Sequence, residues 1–221
     1  MNTTRSQSAI PTVNVEQSFW DQGLHAVAGL DEVGRGPWAG PVTAGAVILP
    51  DNAAQLSSLA AVRDSKKLSA SRRERLFVAI HDAALAVGVG SATAAEVDAL
   101  GIVPATRVAM HRALAALTTS PDALILDALS LPEINLPQQA FPRADAHSMS
   151  VAAASIVAKV VRDRWMAETA EVDYPGYGFA QHKGYGTAQH REALTRLGVC
   201  PIHRRSFRPV ADRLADEGRS S

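Results

Sequence analysis

The sequence predicts an α/β domain in which helices flank a central mixed β-sheet, with a small helical region at the C-terminal end. Short runs of small and branched apolar residues come first, and segments with helical periodicity then alternate with further strands. Of the 221 residues, 47% are hydrophobic and 20% are charged, so the chain can bury a core and is not disordered as a whole.

The first elements are two short strands and a helix. The segments "AVAGLD" (residues 26–31) and "VTAGAVIL" (residues 42–49) consist of small and β-branched apolar residues, and a linker rich in glycine and proline joins them. Beyond "DSKKLS", apolar residues recur at helical spacing from Leu76 to Val87. The sequence "SRRE" (residues 71–74) matches a capping box and predicts the start of this helix.

The later elements are identified in the same way. The segments "VGVGSAT" (residues 87–93) and "DALILD" (residues 122–127) predict two more strands, the second ending in an acid. Residues 148–172 predict a long helix whose first half, Met149 to Val161, is apolar nearly all round and should be buried. Residues 173–186 contain too much Gly, Pro and Tyr for regular structure and predict a loop. Further helices are predicted at residues 94–100, 104–117, 187–197 and 209–216.

The ends of the chain and its single cysteine bear on where the protein acts. Residues 1–17 are polar and mixed, so we predict a flexible N-terminal tail followed by one domain over residues 18–221. No signal peptide or membrane-spanning run is recognisable, and we expect no membrane partner. Cys200 has no second cysteine to pair with, which fits a reducing compartment. We expect a cytoplasmic monomer.

The charges are balanced in number but not in position. Lysine plus arginine and aspartate plus glutamate are equal at 22 each, yet residues 63–75 and 181–208 are both strongly basic. A neutral protein with two such stretches can present a surface that binds phosphate groups, so nucleic acid is a candidate partner. For either stretch alone, a solvated helix surface remains the alternative.

Acidic side chains follow two of the predicted strands. Asp31 and Glu32 come directly after "AVAGL", and Asp127 follows "ALIL". A single acid in such a place is usually a turn or helix-cap residue. If the two strands are neighbours in the sheet, however, Asp31 and Asp127 lie close together and repel each other unless a cation neutralises them.

Asp145, just before the long buried helix, is a further candidate. By itself it could simply favour the positive end of the helix dipole. With Asp31, Glu32 and Asp127 it makes four carboxylates, whose hard oxygen ligands suit Mg²⁺ or Mn²⁺. Two such ions about 4 Å apart can activate a water and stabilise the leaving oxygen in phosphodiester hydrolysis. Because side chains alternate on an extended chain, we expect a turn, or its backbone carbonyl, to bring Glu32 to this site.

Five longer motifs carry a resemblance to a known family. They are "AGLDEVGRGPWAGPVTAGAVIL", "DSKKLS", "SVAAASIVAKVVRDR", "YPGYGFAQHKGYGT" and "PIHRRSF". In their order and spacing the chain, from about Val27 to Val210, resembles bacterial ribonuclease HII. The resemblance implies an RNase H-like fold and an endoribonuclease that hydrolyses the RNA strand of RNA–DNA hybrids. It also implies incision on the 5′ side of single ribonucleotides embedded in duplex DNA, with two divalent ions and with 5′-phosphate and 3′-hydroxyl products.

The resemblance also assigns roles to individual residues. The four metal-binding catalytic acids of the family fall on Asp31, Glu32, Asp127 and Asp145. The residues that recognise the ribose 2′-hydroxyl at the junction fall on Gly34, Arg35, Gly36 and Tyr185. Glycine backbone can approach a sugar closely because no Cβ intervenes, and the 2′-hydroxyl is what distinguishes RNA from DNA at one nucleotide. Without the resemblance, a glycine-arginine-glycine motif is usually a turn with no binding role. A tyrosine in a loop usually packs against the rest of the protein.

Several basic residues remain to be placed. Lys66 and Lys67 precede a helix start and suit phosphate contacts, and Lys183 can do the same beside Tyr185. Lys159 is the only charge in an apolar helix stretch, so we expect it to reach a carbonyl or carboxylate at the buried edge. The segment from His203 to Arg205 either lines the substrate groove or forms a solvated turn.

Several positions depart from the pattern of the family. Ala128 follows the third acid and Ala144 precedes the fourth, where the family has glycine. Leu129 stands where a polar residue is common, Arg143 replaces a lysine and keeps its charge, and Val33 replaces an alanine. If the glycine of the family has a left-handed conformation in a turn, an alanine at the same position cannot easily adopt it. One alternative is therefore a hybrid-binding protein with weakened or lost catalysis. A phosphohydrolase of small phosphate esters is disfavoured by the basic stretches and by the absence of a GxxxxGK[ST] loop.

Overall fold

Five strands form one mixed sheet in the computed structural model, which describes residues 10–63 and 65–219 without the side chains of residues 53, 54, 67, 217 and 219. The strands are β1 Val27–Val33, β2 Val42–Ile48, β3 Ala86–Ala92, β4 Ala123–Asp127 and β5 Gln138–Phe141. They are hydrogen-bonded in the order β3-β2-β1-β4-β5. β1 is parallel to β4, with Leu30 opposite Leu126, and β4 is parallel to β5. The predicted α/β class with a mixed sheet is confirmed.

The helices of the described residues range from single turns to the long α6. They are α1 Asn14–Trp20, α2 Ala53–Leu56, α3 Ala70–Ala83, α4 Ala94–Leu100, α5 Ile102–Ala115, α6 Met149–Arg164, α7 Glu171–Asp173, α8 Phe179–His182, α9 Ala188–Leu197 and α10 Arg208–Arg219. A π-helical turn, Trp165–Ala170, joins α6 to α7, and 3₁₀ turns occur at Ser57–Leu59, Ser65–Lys67 and Ala144–Ala146. Within this described part, no helix is long and apolar enough to cross a membrane.

The structure corrects three of the predicted elements. β5 is absent from the prediction because "QQAF" shows no apolar alternation, and its side chains are in fact half-buried or exposed. The capping box predicted at residues 71–74 does not form, since the hydroxyl of Ser69 accepts the backbone N–H of Arg72 and caps α3. The predicted loop 173–186 contains the single-turn helix α8.

The chain divides into two compact units, formed by residues 1–31, 45–88 and 117–156 and by residues 32–44, 89–116 and 157–221. In the first unit, the start of α6 packs directly on glycines of β1 and β2. A Cβ built on Gly29 would lie 2.4 Å from Ser150 Oγ, and one built on Gly45 would lie 2.5 Å from the carbonyl oxygen of Ala154. This close packing explains why the first two strands carry such small residues. It also confirms the predicted burial of the first half of α6.

The N-terminal segment of the first unit is held against the start of α6. α1 begins inside the predicted flexible tail, whose residues 1–9 lie outside the described part of the chain. Glu16 is fully buried, and its Oε1 accepts hydrogen bonds from the hydroxyls of Ser148 and Ser150, both at 2.6 Å. It also accepts the backbone N–H of Ser150 at 2.8 Å. Residues 10–17 therefore fix the backbone that follows Asp145.

In the second unit, α4 and α5 are tied together by one carboxylate. Thr93 and Glu96 form a capping box at the start of α4, and Arg112 of α5 donates to Glu96 at 2.7 Å. This hydrogen bond is the main reason why the pKa of Glu96 falls to about 2. On the same helix, Asp98 accepts the backbone N–H groups of Arg205 and Ser206. α4 thereby anchors the segment that contains Arg204.

Candidate active site

Asp31 and Asp127 lie at the carboxyl ends of neighbouring parallel strands in the first unit. Leu30 is opposite Leu126 in the register of β1 and β4, so the acids that follow them occupy the same edge of the sheet. Asp31 is only 7% exposed, and Asp127 is half-buried. The sequence placed Asp31 and Asp127 close together on the condition that their strands are neighbours, and this pairing meets that condition.

β5 leads the chain back to the same edge and brings Asp145 with it. Phe141 is opposite Asp127 in the register of β4 and β5. The chain then turns, and the backbone N–H of Ala144 donates to Asp127 Oδ1 at 2.9 Å. Asp145 is the next residue, in the 3₁₀ turn Ala144–Ala146, and is 9% exposed. Adjacent backbone segments of the first unit therefore carry three of the four predicted acids.

Glu32 belongs to the second unit. β1 continues through Val33, so no turn redirects Glu32, which removes one of the two routes we expected for it. Its Oε1 instead accepts a hydrogen bond from Arg35 Nη1 at 3.3 Å, and 12% of its side chain is exposed. The route through its backbone carbonyl remains a prediction.

The side chains of the four predicted acids are of the chemical type that binds a hard divalent cation. All four acids offer carboxylate oxygens, the ligands that Mg²⁺ and Mn²⁺ prefer. Among the residues that the structure describes, however, no three His, Cys, Asp or Glu side chains are arranged as a ready metal-binding group. The carboxylates of Asp127 and Glu32 both accept hydrogen bonds from the protein, as described above.

Two residues beside the acids have a left-handed backbone conformation. Ala128 and Arg143 both have φ near +60°, a region that disfavours side chains with a Cβ. Ala144 is not among them, because it lies within the 3₁₀ turn and its N–H binds Asp127. The concern about a lost glycine therefore applies to Ala128 and not to Ala144, and Arg143 has a left-handed conformation although the family has no glycine there.

Ala128→Gly is expected to stabilise the protein by about 1 kcal/mol, because glycine removes the left-handed strain at this position. In a chain of this size the gain corresponds to a rise in Tm of roughly 2–4 °C. Thermal unfolding measures it. Ala144→Gly is the matched control, and it should lower Tm because Ala144 is not strained. Equal losses of stability in the two variants would contradict the assignment of strain to Ala128.

The loop of residues 34–41, which contains the predicted glycine-arginine-glycine turn, is built around a fully buried arginine of the second unit. The Arg204 guanidinium donates five hydrogen bonds to main-chain carbonyls of this loop. The acceptors, with distances from 2.5 to 3.1 Å, are Gly34, Arg35, Pro37 and Gly40. Neither role considered for Arg204, a groove residue or part of a solvated turn, is correct.

Arg162 of α6 is a second, fully buried support for the 34–41 loop, and sequence reasoning missed it. Its guanidinium donates to the carbonyls of Pro41 at 2.8 Å, Ala39 at 3.1 Å and Lys183 at 3.1 Å. A Cβ built on Gly34, where φ is +92°, would lie 2.3 Å from Arg162 Nε, so only glycine fits there. By contrast, a Cβ on Gly36 would meet no atom within 4 Å.

The two buried guanidiniums concentrate positive charge beneath the 34–41 loop. Burial lowers the pKa of Arg204 to about 9, and the charge of Arg162 contributes to the same shift. Burial likewise lowers the pKa of Arg162 from its ordinary value. With a pKa of about 9, Arg204 is still charged at neutral pH, so an anion such as a phosphate is favoured nearby.

The residues around Tyr185 are joined to the 34–41 loop. The backbone N–H of Trp38 donates to the carbonyl of Gly184 at 2.8 Å. A Cβ on Gly184 would lie 2.3 Å from the carbonyl oxygen of Ala39, and one on Gly186 would lie 2.1 Å from the Trp38 ring. Tyr185 itself is 41% exposed. Within the second unit the fold therefore brings together the two segments predicted to read the ribose.

The lysines predicted to bind phosphate are Lys66, Lys67 and Lys183. Lys66 is exposed in the turn Ser65–Lys67, and the side chain of Lys67 lies outside the described residues. The Lys183 ammonium donates to the carbonyl of Ala180 at the C-terminal end of α8. Lys159 pairs with Asp163 at 2.7 Å, which confirms its predicted structural role.

Comparison with known sequences points to one family. The family described as Ribonuclease HII matches residues 28–210. A Ribonuclease HII from Chloroflexus aurantiacus is 54% identical over 206 residues, which cover 93% of this chain and 97% of that protein. A Ribonuclease HII from Thermus thermophilus is 53% identical over 197 residues, or 89% of this chain and 93% of that protein.

Solved structures agree with the sequence comparison. The ribonuclease H2 from Pyrococcus horikoshii OT3 is 28% identical, with a TM-score of 0.69 over 88% of this chain and 99% of that one. Bst-RNase HIII in complex with Mn²⁺ is 22% identical, with a TM-score of 0.68 over 88% of this chain and 71% of that one, and supports the RNase H-like fold alone. Matched over most of its length in both sequence and fold, this chain belongs to the Ribonuclease HII family and is a ribonuclease H, an endoribonuclease of RNA–DNA hybrids.

Proposed function

We propose that this ribonuclease, besides hydrolysing the RNA strand of hybrids, incises duplex DNA on the 5′ side of a single embedded ribonucleotide. The products are a 5′-phosphate and a 3′-hydroxyl. The observation that carries the proposal is the pair of buried guanidiniums, Arg162 and Arg204, which bind the carbonyls of the 34–41 loop. A loop that is fixed in this way can test one sugar without first losing the entropy of becoming ordered.

The reading of the sugar is assigned to the 34–41 loop and to Tyr185. Gly36 is exposed and has open space where a Cβ would stand, so the backbone there can approach the ribose 2′-hydroxyl. The exposed ring of Tyr185 can stack on the neighbouring deoxyribose, where a 2′-hydroxyl would crowd it. This combination favours an RNA-to-DNA step in the 5′-to-3′ direction.

The hydrolysis is assigned to Asp31, Glu32, Asp127 and Asp145. When bound, two Mn²⁺ or Mg²⁺ ions supply an activated water and stabilise the leaving oxygen. The protein holds Asp127 through the N–H of Ala144, and it holds the backbone beyond Asp145 through Glu16. Lys66, Lys67 and Lys183 are proposed to contact phosphates and to set the position of the duplex without reading bases. We propose that the enzyme acts as a cytoplasmic monomer.

The proposal is tested on duplex DNA that contains one ribonucleotide, with an all-DNA duplex as the control. We expect nicking on the 5′ side of the ribonucleotide in Mn²⁺ or Mg²⁺, and we expect no nicking in EDTA. Binding without cleavage in either metal would instead support a hybrid-binding protein that has lost turnover. Cleavage of continuous hybrid alone would remove the single-ribonucleotide part of the proposal.

Tyr185→Ala is expected to impair cleavage at a single ribonucleotide more than cleavage of continuous RNA in a hybrid. Loss of base or sugar stacking is worth about 1–3 kcal/mol, so the ratio of the two rates should fall roughly tenfold. The measurement is the initial rate on each substrate under the same conditions. Equal losses on both substrates would show that Tyr185 does not read the junction.

A further inference from the structure

Three histidines of the second unit form a buried cluster behind Tyr185. His182, His190 and His203 are 8%, 0% and 1% exposed. The rings of His182 and His190 are stacked with centroids 4.4 Å apart, and His190 Nε2 lies 3.0 Å from His203 Nε2. Sequence reasoning considered His203 only as a groove residue or part of a solvated turn and did not consider His190.

The hydrogen-bond partners fix the position of each proton on His190 and His203. His190 Nδ1 lies 3.0 Å from the carbonyl oxygen of Tyr185, which can only accept, so Nδ1 carries the proton. On a neutral ring, Nε2 of His190 is then an acceptor, and His203 Nε2 must donate to it. His203 Nδ1 is left as an acceptor, and it receives the backbone N–H of Cys200 at 3.0 Å.

His182 is fixed by the same reasoning. Its Nε2 lies 2.8 Å from the carbonyl oxygen of Tyr177 and therefore donates. Its Nδ1 accepts the backbone N–H of Gly184 at 3.2 Å. The two hydrogen bonds require a neutral ring, as do those of His190 and His203. Two of the three histidines thus bind the backbone on either side of the Gly184–Tyr185 peptide.

We propose that this neutral histidine relay is a positioning device for Tyr185, in which His203 orients His190, His190 holds the Tyr185 carbonyl, and His182 holds the Gly184 amide. The proposal rests on the junction role proposed above for Tyr185. An extra proton on any of the three rings places two hydrogen-bond donors against each other. On His182 the new Nδ1–H would face the Gly184 N–H, and on His190 the new Nε2–H would face His203 Nε2–H. On His203 the new Nδ1–H would face the Cys200 N–H. The relay therefore holds the loop only while all three rings are neutral.

The surroundings of the rings favour the neutral state. Among the residues that the structure describes, the titratable groups that face the cluster are the three imidazoles themselves, the Cys200 thiol and the Tyr177 phenol. Trp38 and Phe179 supply uncharged walls. Burial, followed by the neighbouring His182, lowers the pKa of His190 to about 4. Burial, followed by His190, lowers the pKa of His203 to about 4. Because the folded-state pKa values of His190 and His203 lie below the ordinary value of 6.5, the contribution of the His190–His203 pair is complete above pH 6.5 and is lost as pH falls towards 4.

The test compares three substitutions of His190 on the single-ribonucleotide and continuous-hybrid substrates. His190→Phe removes the hydrogen bond to Tyr185 and should lower the ratio of the two rates about tenfold, which is the size of one hydrogen bond. His190→Asn places an amide N–H where Nδ1 stood and should restore most of the ratio. His190→Gln can reach His203 but not the Tyr185 carbonyl, and should not restore it. His81→Phe, at an exposed histidine, is the control that should leave both rates unchanged.

The outcomes separate this inference from the function on which it rests. If Tyr185→Ala leaves the ratio of the single-ribonucleotide rate to the continuous-hybrid rate unchanged, the junction role is overturned. If Tyr185→Ala changes this ratio but folded His190→Phe does not, only the relay is overturned. If His190→Phe does not fold, imidazole ¹⁵N NMR of the wild-type protein at pH 7.5 decides. It should find the proton on Nδ1 of His190 and on Nε2 of His182 and His203. A His190 protonated at Nε2 would overturn the relay.

Discussion

Asp127→Asn is expected to reduce cleavage about a thousandfold, because a neutral amide cannot replace a carboxylate that holds a divalent cation at the reacting phosphate. The variant keeps Oδ1, so the hydrogen bond from the Ala144 N–H can remain and the fold should be preserved. Hybrid binding, measured by fluorescence anisotropy, should stay close to the wild-type value because Asp127 is not expected to contribute to affinity.

The control for this experiment is Asp122→Asn, at the opposite end of the same strand. Asp122 accepts the backbone N–H of Ala26 at 2.9 Å and is exposed. Its substitution should leave single-turnover cleavage unchanged. Titration of Mn²⁺ should show weaker binding for Asp127→Asn alone. Cleavage by Asp127→Asn at the wild-type rate would mean that the carboxylate has been assigned wrongly.

Arg204→Met is expected to lower the free energy of unfolding by about 3–5 kcal/mol, because the carbonyls of the 34–41 loop lose their buried donors. The corresponding fall in Tm is roughly 10 °C. Where the variant is still folded, cleavage at a single ribonucleotide should be lost before cleavage of continuous hybrid. Arg204→Lys keeps the charge but cannot reach several carbonyls at once, so it should lie between Arg204→Met and the wild type.

Arg205→Met is the matched control, since Arg205 is the exposed neighbour of Arg204 in the same segment. It should have nearly the wild-type Tm and cleavage ratio. Denaturant unfolding and circular dichroism at the assay temperature separate a misshaped loop from a loss of fold. A folded Arg204→Met protein with a normal preference for the single ribonucleotide would show that the guanidinium does not shape the reading loop.

Part of the site follows directly from the sequence. An apolar run that ends in an acid predicts both β1 and β4, and parallel strands bring their ends to one edge of a sheet. The residue pattern alone is therefore enough to place Asp31 and Asp127 together. Asp145 is harder, because β5, which carries the chain back to that edge, is an edge strand whose side chains give no apolar pattern.

The two arginines beneath the 34–41 loop illustrate what composition cannot predict. A guanidinium that is fully buried on main-chain carbonyls has the same sequence signature as one on the surface. For Arg162 a signal did exist, since it directly follows the stretch from Met149 to Val161, which the sequence predicts to be buried. For Arg204, the acceptors are more than 160 residues away in the chain, so no local pattern could show them.

The buried carboxylate of Glu16 was missed for a related reason. Its segment is polar, and polar N-terminal segments usually remain mobile. Only the fold shows that three hydrogen bonds from Ser148 and Ser150 converge on one oxygen of Glu16. The sequence therefore could not show that α1 begins at Asn14, because the partners of this polar segment lie far along the chain.

The hydrogen bonds from Arg204 to Gly34 and Gly40 also determine when, during synthesis of the chain, the 34–41 loop can take its final shape. They join residues separated by 170 and 164 positions, so the loop lacks these donors until residue 204 has left the ribosome. Asp31, Glu32, Asp127 and Asp145 emerge well before that point. A nascent chain stalled before residue 204 therefore carries all four acids without the buried guanidinium that shapes the loop.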